Sequence, residues 1–363
     1  MGSDCIVAGG GIIGLLTARE LADAGLEVTL IERGEVGREA SWAGAGILSP
    51  LHPWRVPAAL APLLGWSLAC YPTLARELCE STGIDPEWAQ CGMWMLDETL
   101  SPEVSAWARV SAQVVEYFDS AGVAQREPRL RAPQGGIWLP GISQIRSPRL
   151  LCALLHDLQR RGVAIVTHCE VTRLRHANGC MEGVETSTGR YEAPVLVVAA
   201  GAWSGALLAG LPHTPPIEPV RGQMILLRGE PGALTRIVLR GACYIVPRRS
   251  GRLLVGSTVE YAGFDKSITE LARTDLYQTA AEIAPCLAEY PIEAHWAGLR
   301  PGIRGDIPII GPHPDIRGLF LSSGHFRNGV ALAPGSARLL ADRILNRPPI
   351  IAAEPFGWPR CPG

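Results

Sequence analysis

The chain has 363 residues, 47% hydrophobic and 19% charged, more than one ordinary domain holds, which points to two domains or one large α/β unit. Its formal net charge of -2, with 33 basic residues scattered along the chain, excludes the basic footprint of a nucleic-acid binder and offers nothing to an anionic membrane. Ten cysteines without a C-x-x-C pair and eight histidines without H-x-x-x-H or H-E-x-x-H spacing leave reduced, mostly buried thiols and no structural metal as the expectation.

Residues 4–33, DCIVAGGGIIGLLTARELADAGLEVTLIER, predict strand, helix, strand. Gly9, Gly11 and Gly14 make a G-x-G-x-x-G fingerprint in which each glycine has its own task. Gly9 permits the tight turn, Gly11 lets backbone amides approach a pyrophosphate, and Gly14 lets helix and strand pack closely. The helix that begins there points its positive end at a diphosphate. Glu32 closes the second strand, where a carboxylate accepts hydrogen bonds from a ribose diol and disfavours a 2'-phosphate, so NADP is not expected. An ordinary glycine-rich turn is the plain alternative, but strand, helix, strand and acid fall in register.

Residues 33–50 are rich in glycine and small residues. Arg33 and Ser41 are candidate donors to a nucleotide, and the run 43–46 lets backbone lie flat on a planar group. A flexible loop is the alternative, against which the apolar character argues. The apolar segment 50–66 suits a lid or interface helix better than a membrane-docking surface.

A helix is expected over 58–81, stopping at Gly83, then a strand over 91–96. One amphipathic helix is expected over 102–121 with Ser101 as its N-cap, with Trp94 and Trp107 in the core or a domain interface. A strand over 135–139 precedes a helix over 147–161, capped by Ser147 with Pro148 at its first position. Between 163 and 198 polar and apolar residues alternate about Asn178-Gly179, a hairpin signal. A buried strand then reaches Gly201, which abuts the nucleotide if this strand joins the first sheet.

From 216 to 295 the expected elements are a strand over 217–227, a hairpin of 242–247 and 252–255 about Ser250-Gly251, and a helix over 269–284. They predict an antiparallel sheet with crossing helices that supplies a substrate-facing wall. After a strand over 319–322, Gly329 opens a helix through Leu345 whose N-terminus favours negative charge. Apolar stretches such as 194–202 are too short to span a bilayer. The first residues run almost at once into a strand without a leader pattern, so a cytoplasmic protein is expected.

Six blocks occur in order: VAGGGIIG with ERG, ASWAGAGIL, VVAAGAW, ACYIVPR, GLRPG with DIPIIGP, and GHFRNGV. Together they resemble, essentially end to end, the flavoprotein family of D-amino acid, sarcosine and glycine oxidases, and most nearly the glycine oxidases of thiamine biosynthesis. The resemblance implies an α/β FAD-binding Rossmann-like domain of the glutathione-reductase type plus an antiparallel-sheet substrate domain. It implies residues 1–85, 145–215 and 300–363 for the FAD domain, 86–144 and 216–299 for the substrate domain, and often a homotetramer. It implies non-covalent FAD, since residues 296–312 lack the cysteine that carries flavin in sarcosine oxidases.

The activity implied is oxidation of a small amine such as glycine, sarcosine, D-proline or D-alanine by hydride transfer to flavin. Molecular oxygen becomes hydrogen peroxide, and the glycine-derived imine serves thiazole assembly. The cofactor-binding positions implied begin with Gly9, Gly11, Ile12, Ile13 and Gly14, then Glu32 and Arg33. Ala40, Ser41, Ala45, Gly46 and Ile47 follow, then Val171 and Gly201. The last are His325, Phe326, Arg327, Asn328, Gly329, Val330 and Ala331, a turn whose backbone N–H groups face flavin O2 and N1.

A guanidinium fork is the best carboxylate clamp, and the resemblance gives that role to Arg300, with Tyr244 adding a phenol and Arg327 a backbone carbonyl for the amine. A surface salt bridge for Arg300 and a core position for Tyr244 are the plain alternatives. Val259 stands where relatives carry bulkier residues. No acid or base is required if the amine binds neutral, so His52, His295 and His325 are expected to be satisfied polar side chains. Alternative functions are a D-amino acid oxidase, a quinone-linked dehydrogenase, or a non-catalytic FAD-binding or tRNA-modifying module, the last lacking its basic face.

Overall fold

The two apolar runs that bracket the glycine cluster, Cys5–Ala8 and Val28–Ile31, lie parallel and adjacent in the computed structural model, which describes residues 2–359. They are the fourth and fifth strands of a six-stranded sheet in the order Ile309–Pro312, Leu319–Ser323, Val195–Val198, Cys5–Ala8, Val28–Ile31, Ala164–Val166. All neighbours are parallel except the edge strand Ile309–Pro312.

These strands are apolar throughout because both faces are covered. Cys5, Val7, Leu30 and Val197 pack under the helices Ile12–Asp23, Leu60–Thr82, Ser147–Arg160 and Gly329–Ile344. The alternate residues Ile6, Ala8, Ile31, Leu196 and Val198 meet Leu174, Met181 and Val184 of a three-stranded sheet. That sheet contains the Asn178-Gly179 hairpin, Val171–Ala177 paired with Cys180–Thr186, and both turn residues have positive φ (50° and 71°), as a two-residue hairpin turn requires.

The second large sheet has eight strands, in the order Ile292–Gly302, Glu218–Arg228, Arg252–Gly256, Cys243–Pro247, Ile237–Arg240, Met93–Leu96, Gly136–Leu139, Glu116–Phe118. The expected hairpin about Ser250-Gly251 lies inside it, with Gly251 at φ 84°. Pairing is antiparallel except between Ile237–Arg240 and Met93–Leu96, which run parallel. The helix Glu270–Ile283, capped by Thr269, covers one face with Leu276, Ala280 and Ile283. The other face carries Met224, Tyr244 and Leu254 toward the first sheet's loops.

Two expectations fail locally. The helix expected over 102–121 is Pro102–Ser111, capped by Ser101, and ends at Ala112 in the left-handed region (φ 51°). Glu116–Phe118 then pairs with Gly136–Leu139, and Asp119 caps a separate helix, Ser120–Arg126. Val110 and Val114, 86% and 59% exposed, show why: the apolar stripe past the first turns has no core to meet, and an open strand edge takes the backbone instead. Ser147 is likewise not the cap of its helix but its first residue, its hydroxyl buried without a hydrogen-bond partner. The amides of Ile145 and Arg146 are already held by the carbonyls of Gly46 and Pro86, so the chain turns helical one residue early.

The helix Gly329–Ile344 contains Pro334, which cannot donate to the carbonyl of Val330. The Tyr71 hydroxyl donates to that carbonyl, and Ser67 accepts from the Gly335 amide (2.8 Å) while donating to Leu332 (3.0 Å). The helix Leu60–Thr82 thereby fixes where this helix begins. The nine cysteines of the described residues are free thiols, and none of the described helices is long and apolar enough to cross a membrane.

Candidate active site

A cavity of about 470 Å³ opens at the carboxyl ends of the parallel strands, between the glycine fingerprint and the turn before the last helix. Gly9 has φ 116°, and a Cβ on it would overlap the Ala199 carbonyl. A Cβ on Gly14 would overlap the carbonyl of Gly9, so Gly14 holds helix against strand and does not itself line the cavity. Gly11 does line it, and its Cβ would meet only Ser41 Oγ, at 3.2 Å. Ser41 accepts from the Ile12 amide (2.9 Å), capping the helix from the short neighbouring helix Ala40–Ala43, and keeps its own proton to donate.

Glu32 is held by two backbone amides, Gly10 (2.7 Å) on one oxygen and Gly34 (3.0 Å) on the other, with its carboxylate on the cavity wall. Arg33 lies 3.6 Å from the centre of the Trp203 ring and pairs with Glu39 at 3.0 Å, so its role includes building the wall. The cavity also takes Ile12, Ile13, Ala40, Val171, Gly201, His325, Phe326, Arg327, Gly329 and Val330. Ala45, Gly46, Ile47 and Asn328 line a second cavity instead. Ala331, expected at the cofactor, lines neither, because within the first turn of its helix it points into the core, 2% exposed, while Gly329 and Val330 face the cavity.

The second cavity, about 400 Å³, shares Ala40, Gly44, Arg300, Phe326, Arg327 and Val330 with the first. Arg300 rises from the strand Ile292–Gly302, not from a turn, and its fork lies flat on Gly222 of the next strand, where any Cβ would overlap both terminal nitrogens. It donates to Ser257 Oγ (2.7 Å) and the carbonyls of Thr258 (3.1 Å) and Arg221 (3.4 Å), and no carboxylate of the described residues is within ion-pair distance. Burial pulls its pKa below the usual value. The surface salt bridge is thus not what the fold makes of it.

Tyr244, 7% exposed, has its hydroxyl 3.8 Å from Met224 Sδ; burial raises its pKa, with Arg300 opposing, so the phenol is a neutral donor. Val259 lines the same cavity, as do 49–52, Arg55 and Val56, the short 3-10 turn Pro53–Arg55 standing where the lid segment was expected. Sequence reasoning missed Gly222, Ser257 and Arg248. Arg248 crosses from the eight-stranded sheet to the Ala45 carbonyl (2.7 Å) and Gln144 (2.8 Å), fixing the loop between the cavities, and burial lowers its pKa to about 10. A glycine inside a strand, as at Gly222, is the one signal that a close approach was coming.

None of the three histidines is placed as an acid or base. His295 lines neither cavity, and its Nε2 is buried without a hydrogen-bond partner, so it is not the satisfied side chain expected; His52 lies 3.4 Å from Glu98 with burial and Arg55 lowering its pKa. His325 is 2% exposed, hydrogen-bonded to Ser336 Oγ (3.0 Å), and burial drives its pKa to about 3. A lowered folded pKa on a base means the unfolded chain binds more protons between pH 3 and 6.5, so stability is full above about 6.5 and falls as pH drops. From pH 6.5 to 5 the loss is about 2 kcal/mol. Urea unfolding of His325→Gln against the parent over that range checks it: the variant's dependence should be flatter.

Comparison with known proteins adds the lineage. A family model described as FAD dependent oxidoreductase matches residues 4–343. The chain is 45% identical to a glycine oxidase of Pseudomonas aeruginosa over 98% of both chains. It is 33% identical to a bifunctional ThiO/ThiG protein of Synechocystis over 95% of this chain and 52% of that one. The crystal structure of glycine oxidase from Geobacillus kaustophilus superimposes with a TM-score of 0.94 at 31% identity, covering 99% of each chain. The close-packed glycine turn, the acid at the strand end and a cavity that shares walls with a second one fit an FAD. The chain belongs to the family of FAD-dependent oxidoreductases, with an α/β FAD-binding fold.

Proposed function

We propose that this enzyme oxidises glycine and similarly small amino acids, with FAD bound along the larger cavity and substrate in the smaller one. The observation that carries the reading is Arg300: a partly buried guanidinium, flat on Gly222 and beside Tyr244, with no carboxylate of the described residues within ion-pair distance, where the two cavities share walls. Such a cation awaits an anion from outside, and an α-carboxylate matches its fork.

Bound FAD supplies the hydride acceptor. The chain's own residues do the rest by placement. Arg300 and Tyr244 hold the carboxylate, the Arg327 carbonyl orients the amine, and the α C–H is turned toward the cofactor cavity. His325 stays neutral, and the turn 325–330 offers backbone donors to the developing negative charge. Residues 1–85, 145–215 and 300–363 would carry the cofactor, 86–144 and 216–299 the substrate wall. Attachment is non-covalent in this reading: Cys169, a cavity-lining thiol, is bonded through its amide to Glu32 at the ribose end.

The oxidation product of glycine is an imine, and in this reading it serves the thiazole of thiamine, for which the ThiO name of the bifunctional relative speaks; a cytoplasmic homo-oligomer is part of the same proposal. A second reading has a specific support: the smaller cavity exceeds what glycine fills, and Val259 leaves it open, which favours sarcosine, D-alanine or D-proline. Peroxide formation by the purified yellow protein in air, against these four substrates, tests both. Glycine is expected among the best; a strong bias to D-proline moves the assignment to a D-amino acid oxidase, and bleaching without peroxide to a dehydrogenase.

A further inference from the structure

Three wall residues of the larger cavity are held by a segment of the other sheet. Residues 257–269 link the strand Arg252–Gly256 to the helix Glu270–Ile283. The base of this segment is stapled to the strand Glu218–Arg228. Arg221, 8% exposed, donates twice to Glu260 (3.0 and 2.6 Å) and once each to Asp265 (2.7 Å) and the Ser267 carbonyl (3.1 Å). Gln223, fully buried, accepts from the Thr269 amide (2.8 Å) and donates to Glu260 (2.9 Å).

The tip leaves its own sheet and crosses to the first. Phe264 stacks on Trp203 with ring centres 5.5 Å apart and planes at 29°, and Lys266 Nζ is 3.1 Å from both Glu39 oxygens. Trp203 also carries the Arg33 guanidinium, and Arg33 pairs with Glu39, so the four side chains close on one another around Trp203. Arg33, Glu39 and Trp203 line the cavity; Phe264 and Lys266 do not. A half-exposed phenylalanine and lysine are thus spent on fixing other residues, not on the core.

We propose that residues 257–269 are a clasp that sets how long FAD is retained, with Phe264 and Lys266 as positioning residues acting through Trp203 and Glu39. FAD cannot pass this side of the cavity without the Arg33, Trp203 and Glu39 wall yielding, and the wall yields only when Phe264 and Lys266 let go. Holding the wall in its bound arrangement beforehand lowers the ordering cost of binding. The inference rests on the assignment of the larger cavity to FAD.

The test is FAD release from the holoenzyme, followed by flavin fluorescence after dilution. A Phe264→Ala/Lys266→Ala double variant should release FAD about tenfold faster, the order expected of one exposed ion pair plus one aromatic stack. Apoprotein melting and turnover per bound flavin should stay unchanged. Phe264→Tyr and Lys266→Arg should release at the parent's rate, and salt should speed release from the parent more than from Lys266→Ala, in which only the Arg33–Glu39 pair of the wall is left to screen. Gly11→Ala serves as the control for the cavity: if it too retains FAD normally, the cavity assignment fails. If Gly11→Ala sheds FAD while the double variant holds it, the clasp alone is overturned. It is equally overturned if faster release follows a lower apoprotein melting point and the conservative variants do not restore it.

Discussion

Arg300→Ala should reduce kcat/KM for glycine by about three orders of magnitude, the cost of stripping one partner from a buried, hydrogen-bonded charge pair. The guanidinium has no carboxylate of the described residues within ion-pair distance and lies beside a buried phenol, so in the proposed pose its removal would take away two parallel charge-assisted bonds at once. Arg300→Lys keeps the charge but not the fork and should cost about 2 kcal/mol, or roughly thirtyfold. Most of either loss belongs in KM, because the carboxylate is held alike in ground and transition states. The flavin absorbance of both variants should match the parent. Gly222→Ala supplies an independent route to the same defect, since its Cβ would displace both terminal nitrogens while leaving Arg300 in the chain. Steady-state kinetics on the three variants checks the claim; an unchanged KM in Arg300→Lys would remove Arg300 from the substrate site.

What was legible in the sequence was whatever a local rule controls. The fingerprint turn, the apolar strands covered on both faces and the hairpin at Asn178-Gly179 each depend on residues adjacent in the chain, and all three stand in the structure. Ser147 and the 102–121 stretch failed for the opposite reason. Ser147 lost its capping position to Arg146, whose carbonyl takes the Arg149 and Leu150 amides while its own amide is tied to Pro86, far away in sequence, and the amphipathic pattern past Ser111 was overruled by the absence of a core beneath Val110 and Val114. The strand Ile237–Arg240, buried at three of its four positions, was not anticipated at all, and its parallel pairing with Met93–Leu96 is invisible to any local window.

The site divides the same way. Most of the wall of the larger cavity comes from contiguous blocks that resemble a family, so those residues could be singled out together. The supports of Arg300 were not, because Gly222, Ser257 and Thr258 come from other strands and loops and carry no chemistry of their own until the sheet assembles them. Arg248 belongs to a recognised block, yet its partner, the Ala45 carbonyl, is across the molecule.

Gly14→Ala should yield a protein that neither holds FAD nor folds stably, whereas Gly11→Ala should fold normally and merely lose FAD. The two glycines stand one turn apart in one motif, but they meet different surroundings. The Cβ of an alanine at 14 would overlap the Gly9 carbonyl, and that carbonyl cannot retreat because Gly9 itself, at φ 116°, is pressed against Ala199. Helix and strand must therefore separate, breaking the packing of Ile13, Leu15 and Val7 that both belong to; overpacking of this kind costs about 3 kcal/mol or more. At Gly11 the φ is -75°, within reach of alanine, and the new methyl meets only the Ser41 hydroxyl at 3.2 Å before projecting into the cavity. The fold keeps its contacts and the diphosphate loses its close approach. Melting of the two apoproteins, with flavin content measured alongside, separates the cases. A Gly11→Ala apoprotein that melts as low as Gly14→Ala would mean that the second glycine serves the fold and not the cofactor.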